Sequence, residues 1–235
     1  MATIKPFKAV RPAQDKAARV AALPYDVYNR EEAKQEIQKE KLTFLKIDRP
    51  ETQFPDDMDM YDPKVYQKAK EMYEEAKTDQ TLIQDQDICF YIYRLTMDGR
   101  AQTGIVACAL VDDYLNNVVK KHELTRSDKE LDRINHVDVC DANTGPIYLA
   151  CRYTDRLSGL LAQWKKDHLA EYDFTEEDEI THRVWVIDED EAIALIREEM
   201  EKIPALYIAD GHHRAASAVK VGLKRREENP GYTGD

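Results

Sequence analysis

The chain has 235 residues, 43% of them apolar, with 46 acidic side chains against 34 Lys and Arg and a formal net charge of −12. The apolar share supports a core for one large domain or two small ones, and the acidic balance argues against a surface that neutralises nucleic-acid phosphates. No run approaches the about 18 apolar residues of a membrane span, the N-terminus lacks a signal-peptide core, and the four cysteines form no CxxC pair, so a reducing cytoplasm is expected.

In chain order, residues 1 to 29 read as strand and loop, ending at Leu23-Pro-Tyr-Asp-Val27. Asn29 is a natural N-cap for a charged helix from Arg30 to about Lys41. Leu42 to Ile47 reads as a strand, and the acidic, proline-bearing stretch from Arg49 to Asp62 as a loop. Asp62-Pro63 opens a helix to about Lys77, with Val65, Ala69, Met72, Tyr73 and Ala76 on one stripe. Ile88 to Met97 and Gln102 to Val111 are β-rich runs on either side of Asp98-Gly99, a hairpin signal.

Asp112 to Arg133 is polar. Thr144 to Cys151 is a short strand, Asp155 caps a helix to about His168, and Arg183 to Ile187 is a strand. An amphipathic helix follows from Glu191 to Lys202. Ala205 to Asp210 is then a buried strand, Gly211 a tight turn, and His212-His213-Arg214 the start of a helix. Cys89, Cys108 and Cys151 read as small buried hydrophobes, His168 and His182 as surface residues, and Trp164 and Trp185 as core or half-buried. The mixture of hairpin and alternating elements predicts an α+β fold, a mixed sheet with flanking helices, as a single domain over 1–235 or two closely packed lobes. The charged, loop-like ending from Arg225 to Asp235 suggests the N-terminal part of a longer protein.

Chemistry concentrates first at Asp210-Gly211-His212-His213-Arg214. First-turn N–H groups lack intrahelical partners and the helix dipole favours an anion there. Gly211 permits a sharp turn, and Arg214 offers a fork for two phosphate oxygens. Asp210 would repel a bare phosphate but suits Mg²⁺, which combines carboxylates with phosphate oxygens. The plainer alternative is that Asp210 only caps the helix and the histidines are solvated.

The second concentration is His122-Glu123 with Thr125, Lys129, Asp132 and Arg133. Glu123 or His122 suits a general base towards a hydroxyl, and Lys129 and Arg133 suit neutralisation of a transferring phosphoryl group. Thr125, Lys129 and Arg133 share one helical face by spacing. The alternative here is a solvated face with ion pairs. Pro24-Tyr25-Asp26-Val27 either lines a site or makes a local turn. His136-Val-Asp138-Val-Cys140-Asp141 carries metal-capable side chains, but its spacing matches no closed zinc pattern.

Pro24-Tyr-Asp-Val27, His122-Glu-x-Thr125 with Lys129 and Asp132-Arg133, Asn143-Thr-Gly-Pro-Ile147 and Tyr207-Ile-Ala-Asp-Gly-His-His-Arg214 occur in that order. Together they resemble the domain-of-unknown-function 1015 family over nearly the whole chain. The Asp-Gly-His-His-Arg segment is in turn similar to the phosphate-binding turns of the ParB/sulfiredoxin fold, whose members include sulfiredoxins, CTP-binding ParB proteins and a free-serine kinase. That likeness implies phosphate binding at Gly211, His213 and Arg214. Sulfiredoxin's essential cysteine is replaced by His212, which argues against sulfinic-acid reduction.

The resulting expectation is a nucleotide-dependent phosphotransferase acting on a small hydroxyl compound, with ATP or another nucleotide and Mg²⁺. Phosphoryl transfer needs positioning and charge neutralisation above all. The alternatives are a nucleotide-binding regulatory module without turnover and a metal-assisted phosphate-ester hydrolase. A small-molecule or nucleotide ligand is the expected partner, with no membrane and no direct nucleic-acid contact.

Overall fold

A computed structural model describes residues 1–123 and 126–231, apart from the side chain of Asp128. Its strands are β1 (Ile4–Lys5), β2 (Val10–Pro12), β3 (Leu82–Gln84), β4 (Phe90–Met97), β5 (Arg100–Val106), β6 (Cys108–Ala109), β7 (Val119–Lys120), β8 (Tyr148–Ala150), β9 (Tyr172–Thr175), β10 (Thr181–Ile187) and β11 (Leu206–Asp210). Its helices are α1 (Ala17–Val20), α2 (Arg30–Lys39), α3 (Leu45–Asp48), α4 (Pro63–Thr78), α5 (Val111–Leu115), α6 (Ser127–Cys140), α7 (Asp155–Asp167), α8 (Asp190–Glu201) and α9 (His212–Glu228). This is an α+β composition. None of the helices is long and apolar enough to cross a membrane, among the described residues.

The chain forms two compact units. The first comprises Met1–Val20, Gln80–Val119 and Cys151–Leu206. It is organised by an antiparallel sheet in the order β5-β4-β10-β9. The β4–β5 hairpin turns at Asp98 and Gly99, both at positive φ (51° and 75°), as a two-residue hairpin turn requires. Phe90 pairs with Ile187 and Ile92 with Trp185 across β4 and β10, and all four are buried. Tyr91, on the other face of β4, is buried as well, so this end of the strand is covered on both sides. Trp164 of α7 adds its ring to the core and donates Nε1–H to the Val186 carbonyl (3.0 Å).

The second unit comprises Ala21–Asp79, Lys120–Ala150 and Tyr207–Asp235. Within it β11 pairs antiparallel with β8, Tyr207 opposite Ala150 and Ile208 opposite Leu149. Helix α4 begins where Asp62 Oδ1 accepts the Lys64 N–H (2.8 Å) and Pro63 takes a position whose missing N–H costs no bond. Val65, Ala69, Met72, Tyr73 and Ala76 face inward as their spacing predicts. Helix α2 opens with a full capping box between Asn29 and Glu32. Small residues on α9 (Ala215, Ala216, Ser217) are buried, and the Ser217 hydroxyl lies 3.2 Å from the Glu130 carbonyl of α6. That close approach locks α9 to α6.

Several local expectations change. Residues 42 to 47 do not form a strand: Leu45–Asp48 is a short helix with Leu45 and Ile47 buried. A short apolar run fits a buried helix as well as a strand, and periodicity alone does not separate them. Residues 1 to 29 hold short helical turns at Gln14–Lys16, Ala17–Val20 and Tyr25–Val27 as well as strands. The cap of α7 is Thr154, whose hydroxyl accepts the Leu157 N–H (3.1 Å), rather than Asp155. Cys108 is exposed, whereas Cys89 and Cys140 are buried. His182 is half-buried, stacked on Phe174 and hydrogen-bonded to Tyr93 Oη (2.7 Å).

Candidate functional site

The second unit carries all four sequence motifs, and its candidate site starts where β11 runs into α9. Asp210 ends the strand and Gly211 sits in the left-handed region at φ +89°, where residues with a Cβ are strained. A Cβ on Gly211 would also lie 3.3 Å from Arg214 Nε and 3.5 Å from the Ile147 backbone. The glycine therefore serves both the turn and the return of Arg214 over it. Gly211 is the N-cap residue of α9 and, having no side chain, makes no side-chain capping bond.

Asp210 instead accepts a hydrogen bond from Arg214 Nη2 (2.7 Å). Arg214 Nη1 donates to the Pro146 carbonyl (2.6 Å), which fastens the Asn143–Ile147 motif to the turn. Gly145 leaves room for this: a Cβ there would stand 3.2 Å from Arg214 Cδ. These bonds use two of the five N–H donors that a guanidinium carries. The Asp210 carboxylate is 65% exposed, so it has a free side for a cation.

His212 is turned inward, 6% exposed, and meets the motif from the other end of the unit. Its Nδ1 lies 3.4 Å from Glu123 Oε2, and its ring stands edge-on to His122 with centroids 4.4 Å apart. One ligand atom from each of His122, Glu123 and His212 falls within 4.8 Å of the other two. Two imidazoles and a carboxylate so arranged can move protons or hold a metal ion. His212 Nε2 and His213 Nδ1 are buried with no hydrogen-bond partner among the described residues.

Arg133 is buried. Its Nε and Nη2 both donate to Asp132 Oδ2 (3.1 and 3.0 Å), and its guanidinium lies over the Tyr25 ring, 4.3 Å from the centroid. Tyr66 Oη donates to the other Asp132 oxygen (3.0 Å). Burial on its own would lower the Arg133 pKa, but the carboxylates of Asp132 and Asp48 outweigh it and the net shift is upward. Tyr25 is pushed up by burial, while the positive charges of Arg133 and Arg214 act in the opposite sense. The Pro24–Val27 motif thus lies in the field of both arginines. Thr144 joins the same region by donating to Asp48 Oδ1 (2.6 Å).

The sequence-derived residues therefore fall into groups. His122, Glu123 and His212 are brought together. Asp210, Gly211 and Arg214 form one turn, closed by Pro146. Arg133 belongs to a buried pair rather than to a solvated face, and Lys129 sits half-buried one turn earlier in α6. Thr125, grouped with them by spacing, lies outside the described residues. His213 directs its ring inward at Nδ1, and Asp26 is exposed.

The sequence reading passed over Asp48, Tyr66 and the Pro146 carbonyl. Asp48 falls between the run read as a strand and the loop after it, and a backbone oxygen carries no sequence signal. His136 was weighed only as a metal-capable residue. It is fully buried and holds the Ile47 carbonyl through Nε2 (2.8 Å).

A family model described as a protein of unknown function, DUF1015, matches residues 4–235. No curated protein and no solved structure matches the chain.

Proposed function

Since the chain belongs to the DUF1015 family, and the motifs quoted above meet within one unit, we propose that it is a nucleotide-dependent phosphotransferase acting on a small hydroxyl-containing metabolite. One observation carries the reading: His122 and Glu123 lie against His212, at the entrance of the helix whose first turn offers an anion site. A candidate base and a candidate phosphate cradle thus share one place.

The first-turn N–H groups of α9, His213 and the unused donors of Arg214 hold the nucleotide phosphates. The resemblance of this turn to those of ParB and sulfiredoxin supports that assignment. Asp210 fits Mg²⁺ through its open carboxylate side, and the ion would neutralise phosphate charge. The terminal phosphoryl group passes to the substrate hydroxyl oxygen, the nucleoside diphosphate leaves, and the hydroxyl proton goes to Glu123. Lys129 adds positive charge to that region. Arg133 acts from behind, as a fixed charge beside Tyr25.

The test is incubation with ATP, ADP or CTP, Mg²⁺ and a pool of hydroxyl-bearing metabolites. Phosphorylated product is expected. Free phosphate alone would instead favour a metal-assisted hydrolase, and tight nucleotide binding with neither product a regulatory module.

A further inference from the structure

We infer that His122, Glu123 and His212 form a binding site for a divalent transition-metal ion of zinc-like chemistry, distinct from any Mg²⁺ at Asp210. The three side chains come from two segments far apart in sequence, yet their ligand atoms gather within 4.8 Å. Two imidazole nitrogens and one carboxylate are the donor set of open zinc sites, in which a further position is left for water or substrate. Mg²⁺ prefers an all-oxygen shell, so the same set selects against it.

His212 supplies an independent sign. It is more than nine-tenths buried, and the nitrogen it turns to the cluster is Nδ1. Its Nδ1 sits 3.4 Å from Glu123, longer than a good hydrogen bond. A buried imidazole whose Glu123-facing Nδ1 makes no good hydrogen bond calls for a cause, and an ion held by Nδ1 is one. A plain His212–Glu123 ion pair is the competing explanation. It leaves the edge-on packing of His122, 4.4 Å away, without a role. An ion supplies one, because both imidazoles then donate a nitrogen lone pair to the same cation. His122 and Glu123 are exposed, so the ion has a way in.

This deepens the reading above without depending on it. In a phosphotransferase the ion would bring the substrate hydroxyl closer to losing its proton, with one Glu123 oxygen on the metal and the other free to receive it. In a hydrolase it would do the same for water. Metal binding itself is measured with no nucleotide present.

The experiment uses the full chain, stripped with a chelator and titrated with Zn²⁺ against a chromophoric competitor. Co²⁺ provides a visible-absorption readout of nitrogen ligation. One equivalent of Zn²⁺ is expected to bind. His122→Gln and Glu123→Gln, both at exposed positions, are each expected to weaken binding by at least about tenfold, the lower end of what even outer-shell losses bring. Arg214→Ala should bind Zn²⁺ as tightly as the wild type, because Arg214 is not a ligand. Cooperative melting shows that the variants fold. Wild-type affinity no greater than that of a His122→Gln, Glu123→Gln double variant would overturn the inference. If Zn²⁺ binds as expected but no nucleotide yields phosphorylated product, the metal site stands and the phosphotransferase reading falls.

Discussion

Arg214 Nη1 donates a hydrogen bond to the Pro146 carbonyl at 2.6 Å, while the Nη2 of the same side chain holds Asp210 at 2.7 Å. One guanidinium thereby ties two sequence motifs together at the mouth of α9. A lysine would place a single ammonium there and lose the planar fork. Arg214→Ala and Arg214→Lys should both weaken nucleotide binding, the alanine more, and the alanine should also lower the melting temperature, since both ties are lost. Nucleotide titration by calorimetry checks this, and unchanged affinity in Arg214→Ala would remove the turn from the binding site.

Gly211 sits at φ +89° beneath Arg214. Gly211→Ala should lower stability by about 1–2 kcal/mol, the usual penalty for a Cβ in the left-handed region. Gly211→Asn should recover part of the loss, because asparagine tolerates that region better. Urea unfolding of the three proteins gives the order directly.

Arg133 and Asp132 are a buried pair that also meets the Tyr25 ring and the Tyr66 hydroxyl. Removing one partner leaves the other charge uncompensated. Arg133→Met should therefore destabilise the protein by about 3–5 kcal/mol. Joint replacement of Arg133 and Asp132 by apolar residues should be milder than that single change. A double-mutant cycle by denaturant unfolding measures the difference.

His136 has its pKa lowered from the ordinary 6.5, first by burial and then by the neighbouring Arg133, with Asp48 and Asp132 opposing. Its Nε2–H donates to the Ile47 carbonyl in the neutral form, and among the described residues no acceptor faces Nδ1 to take a hydrogen bond from a second proton. The unfolded chain binds that proton more readily than the folded one. This contribution to stability is thus complete above pH 6.5 and declines as pH falls from 6.5 towards the lower folded value. A His136→Gln variant should lose that part of the acid-side slope in melting curves taken across the window.

The legible features in the sequence were those set by neighbours along the chain. The Asn29 and Asp62 caps, the Asp98-Gly99 hairpin and the strand–Gly211–helix turn each rest on two or three adjacent residues, and all are found. The Leu42–Ile47 run was misread because burial on all sides erases the alternation that separates strand from helix. The burial of Arg133 is hidden for a related reason. A charge run looks solvated until a tertiary partner appears, and neither the Tyr25 ring nor the Tyr66 hydroxyl can be placed beside it from spacing. The joining of His122 and Glu123 to His212 was within reach only as a hypothesis, since two distant motifs carry no signal of contact in one sequence.

The most direct measurement is transfer of a labelled terminal phosphoryl group from nucleotide to hydroxyl compounds, by the wild type and by Glu123→Gln side by side. The account predicts labelled product from the wild type. It also predicts a rate lower by about 10²–10⁴ in the variant, the range a positioned base contributes, while the variant still binds nucleotide. No labelled product from any nucleotide, or equal rates in the two proteins, would contradict it.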